Sequence, residues 1–205
     1  MPAKIPAIRD ARYVATATDI QGLPVPAHPE IAFAGRSNVG KSSLINCLVE
    51  RRKLVRTSST PGQTRGISIF RVDLQSAAGV KSTLDLVDLP GYGYAKRSKS
   101  ERKSWGPMIE GFLEQRSELA GVVLIVDARR GLEDDDDQLL EYLAHIELPV
   151  VLVATKIDKL GKSERHPSLA AIASKGLPPI AASAETREGR ETILTRVLDL
   201  AGIAR

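Results

Sequence analysis

The segment from residue 35 to residue 42 combines residue types and spacing that suit the binding of a phosphate chain. It reads Gly35-Arg36-Ser37-Asn38-Val39-Gly40-Lys41-Ser42, is followed by Ser43, and fits the pattern G-x-x-x-x-G-K-[ST]. Glycines let backbone N–H groups converge on phosphate oxygens without an intervening side chain. In such a loop Lys41 reaches the β- and γ-phosphates and the Ser42 hydroxyl binds Mg²⁺. We therefore predict a nucleotide-binding loop, the alternative being a chance match in an ordinary turn.

A second short motif, Asp88-Leu89-Pro90-Gly91, could complete the phosphate site. A carboxylate that faces a phosphate loop can hold Mg²⁺ through the water shell of the ion, so Asp88 joins Ser42 as a predicted metal-site residue. Gly91 allows a backbone N–H to approach the γ-phosphate, which would let this segment respond to hydrolysis. In isolation the same letters are typical of a Pro-Gly turn. The phosphate loop upstream makes us favour the functional interpretation.

Two motifs in the second half of the chain point to guanine as the base. In Thr155-Lys156-Ile157-Asp158, the Asp158 carboxylate can accept hydrogen bonds from the ring N–H and the exocyclic amine of guanine, a donor pair that adenine lacks. The stem of Lys156 can lie along the base plane. The second motif comprises Ala182, Ser183 and Ala184. Small residues there allow a backbone N–H to reach the guanine O6. The alternative functions, a P-loop kinase or an ATPase, would require no motif that selects guanine.

A threonine is expected between the phosphate loop and Asp88. The segment there reads Thr60-Pro61-Gly62-Gln63-Thr64-Arg65-Gly66. A threonine in a loop before a strand can complete the Mg²⁺ shell only when a γ-phosphate is present. We assign that role to Thr64 rather than Thr60, because Thr64 is nearer to the following strand and the Pro-Gly pair lets the loop bring it inward. Gly62, Gln63, Arg65 and Gly66 are predicted nucleotide contacts. The alternative is an ordinary turn that contains a threonine.

The motifs are spaced along an alternation of strand and helix patterns. Strand patterns cover residues 30–34, 66–74, 82–89, 121–127, 148–154 and 178–182. Helical patterns cover residues 43–49, 105–119, 134–146, 163–174 and 188–202. This alternation predicts an α/β fold of the P-loop NTPase type, with three α/β/α layers around a mainly parallel sheet and one antiparallel strand. Each motif follows a strand end, where ligands bind in such sheets.

Length and composition agree with one domain and exclude several classes of protein. With 205 residues, of which 42% are hydrophobic and 4% aromatic, the chain can bury a sizeable aliphatic core. We expect residues 30–205 to form this domain and residues 1–29 to form an N-terminal arm packed on it, with one strand or helical turn near Tyr13 and Val14. One cysteine excludes an internal disulfide, and three scattered histidines give no zinc-type spacing. With no secretory h-region and no membrane-length apolar run, we expect a cytoplasmic monomer.

The order of the motifs resembles that of the translation-factor-like GTPases over residues 30–202. More narrowly, the strings at residues 35–43, 60–65, 88–95 and 154–159, and the residues Trp105, Ile109, Glu110 and Leu113, resemble the EngB/YihA/YsxC family of bacterial GTPases, a TrmE-Era-EngA-EngB-Septin-like group. The string Asp-Leu-Pro-Gly-Tyr-Gly-Tyr-Ala is the most family-specific of these. The resemblance implies a GTP-hydrolysing switch that uses GTP, GDP and Mg²⁺. It also implies a role in assembling the large ribosomal subunit and a requirement for normal cell division and septation.

Two positions depart from the pattern of other GTPases. Many have Asn where this chain has Thr155, whose hydroxyl lacks the donor–acceptor pair of an amide, although Thr is common in the EngB-like group. Ras-like enzymes place a glutamine after D-x-x-G to orient the attacking water, whereas this chain has Tyr92, so intrinsic hydrolysis should be slow. In related GTPases an Asn at the position of Asn38 helps to hold K⁺ near the β–γ bridge, and we hypothesise K⁺-stimulated hydrolysis. The predicted catalytic residues are Lys41, Asn38, Thr64 and Gly91.

Basic residues gather in two groups that could contact RNA phosphates. The net charge of +4 is common among soluble proteins and decides little. The groups are Arg51, Arg52 and Lys53, and then Lys96, Arg97, Lys99, Arg102 and Lys103. Although two solvated loops would look the same, both groups border segments expected to change with nucleotide state, so we predict contact with ribosomal RNA or a large-subunit precursor. A nucleotide-gated RNA-binding module with incidental hydrolysis stays open beside the enzyme.

Two remaining features have simpler interpretations. The acidic run at residues 133–137 could bind a metal ion, but we interpret it as the first turn of a helix, where the helix dipole favours negative charge. Tyr92, Tyr94 and Trp105 could stack on RNA bases. We favour core packing or contact with a partner for these three aromatic residues.

Overall fold

The computed structural model of the chain describes residues 5–55, 66–93, 106–173 and 176–204. Several residues of the predicted site lie outside this range: Thr60, Gly62, Gln63, Thr64 and Arg65, the basic residues Lys96, Arg97, Lys99, Arg102 and Lys103, and the aromatic residues Tyr94 and Trp105. Their predicted roles stay predictions.

Strands and helices alternate along the described residues, as the sequence patterns predict. The strands are β1 (Ala7–Ala17), β2 (Glu30–Gly35), β3 (Ile67–Gln75), β4 (Lys81–Asp88), β5 (Leu119–Asp127), β6 (Val150–Thr155) and β7 (Ile180–Ala181). The helices are α1 (Lys41–Leu48), α2 (Gly106–Gln115), α3 (Asp134–His145), α4 (Lys162–Ile172) and α5 (Arg190–Leu200). A single 3-10 turn, Ile157–Lys159, follows β6.

One sheet contains all seven described strands, in the order β1-β3-β4-β2-β5-β6-β7. Four neighbouring pairs are parallel: β4 with β2, β2 with β5, β5 with β6, and β6 with β7. β3 runs antiparallel to both of its neighbours, β1 and β4. Among the described strands, β3 alone therefore opposes the common direction, which confirms the predicted mainly parallel sheet with one antiparallel strand.

Helices cover both faces of the sheet, which explains why its central strands contain continuous apolar runs. Ile31 and Phe33 of β2 pack in a core with α1 and α5, whereas Ala32 and Ala34 pack in a second core with α2, α3 and α4. Because successive side chains of a strand point to opposite faces, residues 31–34 of β2 must all be apolar to lie between these cores. Each large apolar side chain that is fully buried contributes about 1.5–3 kcal/mol. The layers are α/β/α, as predicted.

The N-terminal segment contains a long edge strand. β1 spans 11 residues and pairs with β3, and Tyr13 contacts Phe70 edge to face with 5.9 Å between ring centroids. Most β1 side chains are exposed or half-buried, so the sequence shows little of the period-two alternation that marks a half-buried strand. This explains why only a short strand or helical turn is expected there. The division of the chain at residue 29 stays a prediction.

The helix α2 and the strand β7 are shorter than their sequence patterns predict. α2 ends at Gln115 rather than 119, and Leu119 already begins β5. Between them, Arg116 turns inwards, where its guanidinium pairs with the buried Glu30 carboxylate and donates to the Pro24 carbonyl at 2.8 Å. β7 has only two residues, because the preceding prolines at 178 and 179 have no N–H to donate to a neighbouring strand. No helix in the described part of the chain is long and apolar enough to span a membrane.

Candidate functional site

The phosphate loop, residues 35–42, connects β2 to α1 at the carboxyl end of the parallel strands. Gly40 precedes α1 with a φ of 102°, a conformation that favours glycine, and its carbonyl accepts from the Leu44 N–H at 2.8 Å. Lys41 begins the helix, and its buried ammonium pairs with the buried Asp88 carboxylate at the end of β4. The fold thus brings the predicted phosphate-binding cation and the predicted metal-site carboxylate together.

The first half of the phosphate loop packs against the segment that follows β4. A Cβ on Gly91 would lie 3.0 Å from the Ser37 Oγ and 3.2 Å from the Ser37 nitrogen, so a larger residue would push the two segments apart. The Ser37 N–H donates to the Tyr92 carbonyl at 2.8 Å. Leu89 is anchored in the core, and its N–H donates to the Phe33 carbonyl at 3.1 Å. Gly91 is therefore held beside the phosphate loop, where its predicted role requires it.

Thr155, at the end of β6, contacts the second half of the phosphate loop. Its buried hydroxyl lies 2.5 Å from the Val39 carbonyl oxygen and 3.0 Å from the Val126 carbonyl oxygen, and can donate to either. The hydroxyl is thus directed at the phosphate loop and β5. Many GTPases have an asparagine at this position, and the replacement of its amide by the Thr155 hydroxyl therefore affects how the phosphate loop is held in place.

Lys156 bridges the same loop to the end of β5. It adopts a left-handed conformation with a φ of 59°. Its ammonium donates to the Asn38 carbonyl at 2.5 Å and lies 3.0 Å from the Asp127 carboxylate. Burial of Asp127 opposes its ionisation, but hydrogen bonds from Arg129 and Lys156 outweigh burial and lower its pKa to about 2. Asp127 is therefore ionised at neutral pH and fixes the Lys156 side chain.

Asp158 and Ser183 lie at the end of the site that is predicted to recognise the base. Interaction with the Ser183 hydroxyl, and then with Lys159, lowers the pKa of Asp158. Ser183 is fully buried. The backbone is tied as well, since the Ile157 N–H donates to the Ala182 carbonyl at 3.2 Å. The two motifs predicted to contact guanine therefore form one connected unit.

A cleft of about 800 Å³ runs between α1, the 3-10 turn and the loop before α5. Predicted nucleotide-binding residues on its wall are Gly40, Ser43, Thr155, Lys156, Asp158 and Ala184. Asn46, Cys47, Glu50, Arg51, Arg52, Lys159, Glu185 and Arg187 complete the lining. Gly40 of the phosphate loop and the predicted guanine contacts Asp158 and Ala184 thus line one cavity, which is large enough for a nucleoside.

Tyr92 is part of the core, as the sequence interpretation favours. The side chain is 2% exposed, and its hydroxyl donates to Asp136 Oδ1 at 2.7 Å. Burial, followed by the negative charge of Asp136, raises the pKa of Tyr92 well above its ordinary value. A hydroxyl held in this way is not available to orient water.

The acidic run begins helix α3, as predicted. The Asp136 side chain caps the helix, since its Oδ2 accepts from the Glu133 N–H at 3.0 Å, while the Asp136 N–H donates to the Glu133 backbone carbonyl at 2.8 Å. In the described part of the chain, no group of three or more His, Cys, Asp or Glu side chains is placed to hold a metal ion. The acids also have partners outside their helix, because Arg36 pairs with Glu133 and Asp135.

The remaining predicted residues are partly in the core and partly on the surface. Val39 and Ile157 are core residues, and Pro90 is buried beside Leu89. Gly66 lies beside Ala17 at the end of β1, where a Cβ added to the glycine would lie 2.5 Å from the Ala17 carbonyl oxygen. Arg51, Arg52 and Lys53 are exposed just beyond α1.

Three contributors to the site are absent from the sequence prediction. Asp127 ends a strand, which is the signal that marks Asp88, but it belongs to no recognised motif. Cys47 is not among the predicted site residues, yet it is half-buried on the cleft wall. The partners of Arg36 lie about a hundred residues away, and no local pattern indicates them.

The chain is similar to known GTP-binding proteins. The family model described as "50S ribosome-binding GTPase" matches residues 30–156. A probable GTP-binding protein EngB of Syntrophotalea carbinolica is 48% identical over 198 residues, covering 95% of this chain and 91% of its own. The probable GTP-binding protein EngB of Trichlorobacter lovleyi is 46% identical over 196 residues, covering 94% of this chain and 96% of its own.

Solved structures agree on the fold. A crystal structure of a probable GTP-binding protein engB matches with a TM-score of 0.64 and 26% identity, covering 84% of this chain and 98% of its own. Translation elongation factor SelB from Methanococcus maripaludis, in complex with the GTP analogue GppNHp, matches with a TM-score of 0.63. That match covers 89% of this chain and 36% of the SelB chain, and its 18% identity bears on the fold alone.

Proposed function

Because the chain belongs to the EngB family of GTP-binding proteins, we propose that it is a GTP-hydrolysing molecular switch that acts in assembly of the large ribosomal subunit. On this proposal the protein is cytoplasmic and is needed for normal cell division and septation. The observation that carries the guanine-nucleotide part is the shared cleft, since Gly40, Thr155 and Asp158 line one cavity. A phosphate loop beside a base-selecting carboxylate is the arrangement that a GTP switch requires.

Each motif has a role in this proposal. Lys41 and the amides of the phosphate loop stabilise the charge that develops on the phosphates. Ser42 and Thr64 would bind Mg²⁺, and Asp88 would hold the water molecules of the ion. The hydroxyl and carboxylate oxygens of Ser42 and Asp88 suit this hard cation, and Asp88 lies at the phosphate loop through its pairing with Lys41. Bound Mg²⁺ would neutralise charge on the β- and γ-phosphates, while the Gly91 N–H contacts the γ-phosphate.

Base specificity gives the most direct test of the proposal. In this test, GTP and ATP are each added as competitors of a fluorescent GDP analogue bound to the wild-type chain. We expect GTP, and not ATP, to displace the analogue at micromolar concentration. Asp158→Asn should lower guanine affinity and shift preference toward xanthine nucleotides, because an amide can donate where the carboxylate only accepts. Glu118→Gln, an exposed change just before β5, is the control. Equal competition by ATP would contradict guanine selection.

Hydrolysis is proposed to be slow and stimulated by K⁺. The Tyr92 hydroxyl is bonded to Asp136, which supports a low intrinsic rate because the glutamine of Ras-like enzymes has no equivalent here. Asn38 is exposed on the phosphate loop, where its side chain is free to contribute to a K⁺ site near the β–γ bridge. Single-turnover rates in K⁺ buffer should exceed those in Na⁺ buffer, and Asn38→Ala should remove the difference. Equal rates in both buffers would contradict the K⁺ proposal.

A large-subunit precursor or its RNA is the proposed partner. The exposed group Arg51, Arg52 and Lys53 supports this, since it borders the cleft and can contact phosphates. Co-sedimentation with ribosomal subunits in GTP- and GDP-bound states tests the proposal, and we expect binding in the GTP state. Alanine at all three positions should weaken sedimentation. A matched control replaces three exposed cations elsewhere, Lys81, Lys162 and Arg196.

A nucleotide-gated binding module with incidental hydrolysis is the second candidate. The commitment of Tyr92 to the core favours it, because an incomplete hydrolytic site suits a protein whose output is binding. Single-turnover hydrolysis with and without large-subunit precursors separates the two candidates. Strong acceleration by the precursor would support the enzyme, whereas an unchanged rate with GTP-dependent binding would support the module.

A further inference from the structure

Arg36 connects the phosphate loop to two other segments. Its side chain is 18% exposed, with Nη2 3.0 Å from a Glu133 carboxylate oxygen and Nη1 3.1 Å from Asp135 Oδ2. Nη2 also donates to the Gly93 carbonyl at 3.2 Å. The guanidinium therefore joins the start of α3 to the segment after Gly91.

Tyr92 makes a second connection to the same helix. Its hydroxyl donates to Asp136 Oδ1, and Asp136 Oδ2 accepts from the Glu133 N–H. Tyr92 and Asp136 are 2% and 1% exposed. Because burial raises the pKa of Tyr92, its hydroxyl stays protonated and donates at every physiological pH.

Backbone contacts hold the opposite side of residues 91–93. Arg36 and Tyr92 form a parallel β-bridge, and the Ser37 N–H donates to the Tyr92 carbonyl. The segment is thus held by the phosphate loop on one side and by α3 on the other. A segment held in this way keeps the Gly91 N–H at a fixed position beside the phosphate loop, before any γ-phosphate binds.

Helix capping alone does not account for the acidic turn. Asp134 lies in the same first turn of α3 and is exposed, so it experiences the same helix dipole. Glu133, Asp135 and Asp136, by contrast, reach Arg36 or Tyr92. The chain thus contains a matched pair of acids for comparison, Asp134 and Asp136.

We propose that Arg36, Tyr92 and the acidic turn of α3 form a clamp that positions the Gly91 N–H and thereby sets the preference of the chain for GTP over GDP. Only GTP carries a γ-phosphate for this N–H, so pre-organisation of the segment strengthens GTP binding and leaves GDP binding unchanged. The clamp rests on the proposed function. Its members are positioning residues, since they act through Gly91.

The test compares the dissociation constants for GDP and a non-hydrolysable GTP analogue in the full chain with Mg²⁺. Tyr92→Phe, Asp136→Ala and Arg36→Gln should each lower the GTP-to-GDP affinity ratio by about tenfold or more, because each removes at least one hydrogen bond of the clamp. Asp134→Ala and Arg130→Gln should leave the ratio within twofold. Arg130 is a suitable control because it contacts Glu133 from an exposed position.

A double variant separates positioning from general loosening. Tyr92→Phe with Asp136→Ala should lower the ratio no further than Asp136→Ala alone, because Asp136→Ala has already removed the acceptor of the Tyr92 hydroxyl. Thermal unfolding checks that the variants are folded, and Tyr92→Phe keeps the buried ring. Unchanged ratios in folded variants, or equal shifts in the controls, would overturn the clamp. Failure of the wild-type chain to bind any guanine nucleotide would overturn the proposed function on which the clamp rests.

Discussion

Replacing Thr155 with valine should weaken nucleotide binding without discrimination between GDP and GTP. Valine has nearly the same shape as threonine but has no hydroxyl, so the change removes the donor 2.5 Å from the Val39 carbonyl and adds no bulk. The Val39 carbonyl then loses a donor inside the phosphate loop. The loop is then less well ordered in the nucleotide-free protein, and part of the binding free energy is used to order it.

The magnitude follows from the burial of the contact. Thr155 is 3% exposed, so water cannot readily replace the lost donor. A buried polar group left without its partner costs about 1–3 kcal/mol. If about 1–2 kcal/mol of this appears in binding, both dissociation constants rise roughly 5- to 30-fold. The remainder should appear as a lower free energy of unfolding.

Titration with fluorescent GDP and GTP analogues measures the effect, and thermal unfolding reports the share that goes into stability. Thr155→Ser is the matched control, because serine keeps the hydroxyl and should bind nucleotide within about threefold of the wild-type chain. A folded Thr155→Val protein with wild-type affinity would refute the reasoning. A loss of affinity confined to GTP would also refute it. Val39 lies on the half of the loop that contacts Lys156 and β6, so the change should affect GDP and GTP binding alike.

Three further predictions concern stability and access to the cleft. Asp127→Asn should lower the unfolding free energy at neutral pH by up to about 2 kcal/mol. Because the pKa of Asp127 is lowered from 3.8 to about 2, the difference from the wild-type chain should persist above pH 4 and vanish as the pH falls toward 2, which denaturant unfolding at several pH values will measure. Glu30→Gln breaks the buried pair with Arg116 and should cost about 3–5 kcal/mol in denaturant unfolding, whereas a loss below 1 kcal/mol would contradict a structural role for the pair. Cys47 is the only cysteine of the chain and lines the cleft, so saturating GDP should slow its reaction with a thiol reagent several-fold, and an unchanged rate would place the nucleotide elsewhere.

The parts of the site that the sequence predicts share one property: each is recognised from a short sequence motif and the strand or helix next to it. Gly40 and Lys41 need only the strand before them and the helix after them. Asp88 and Thr155 each end a strand, so a correct strand prediction already places them at the same edge of the sheet. The layers and the opposed direction of β3 follow from the same patterns.

The contacts that lie beyond sequence prediction join residues far apart in the chain. Arg36 and Asp135 are 99 positions apart, and Glu30 and Arg116 are 86 apart. A single arginine or glutamate has no period or spacing that indicates its partner. The exposure of β1 conceals its strand pattern for a related reason, since alternation appears in a sequence only where one face is buried.

The two halves of the phosphate loop are held by different parts of the fold. Arg36 and Ser37 contact residues 92 and 93 and the start of α3, whereas Asn38 and Val39 contact Thr155 and Lys156 beside the base-recognition motifs. On the proposed function, the first set of contacts responds to the γ-phosphate, whereas the second set is the same with GDP and with GTP. The second half of the loop can therefore keep its contacts while the first half changes with the γ-phosphate, because the two halves have separate anchors. The proposed switch, which must retain GDP after hydrolysis, needs this separation.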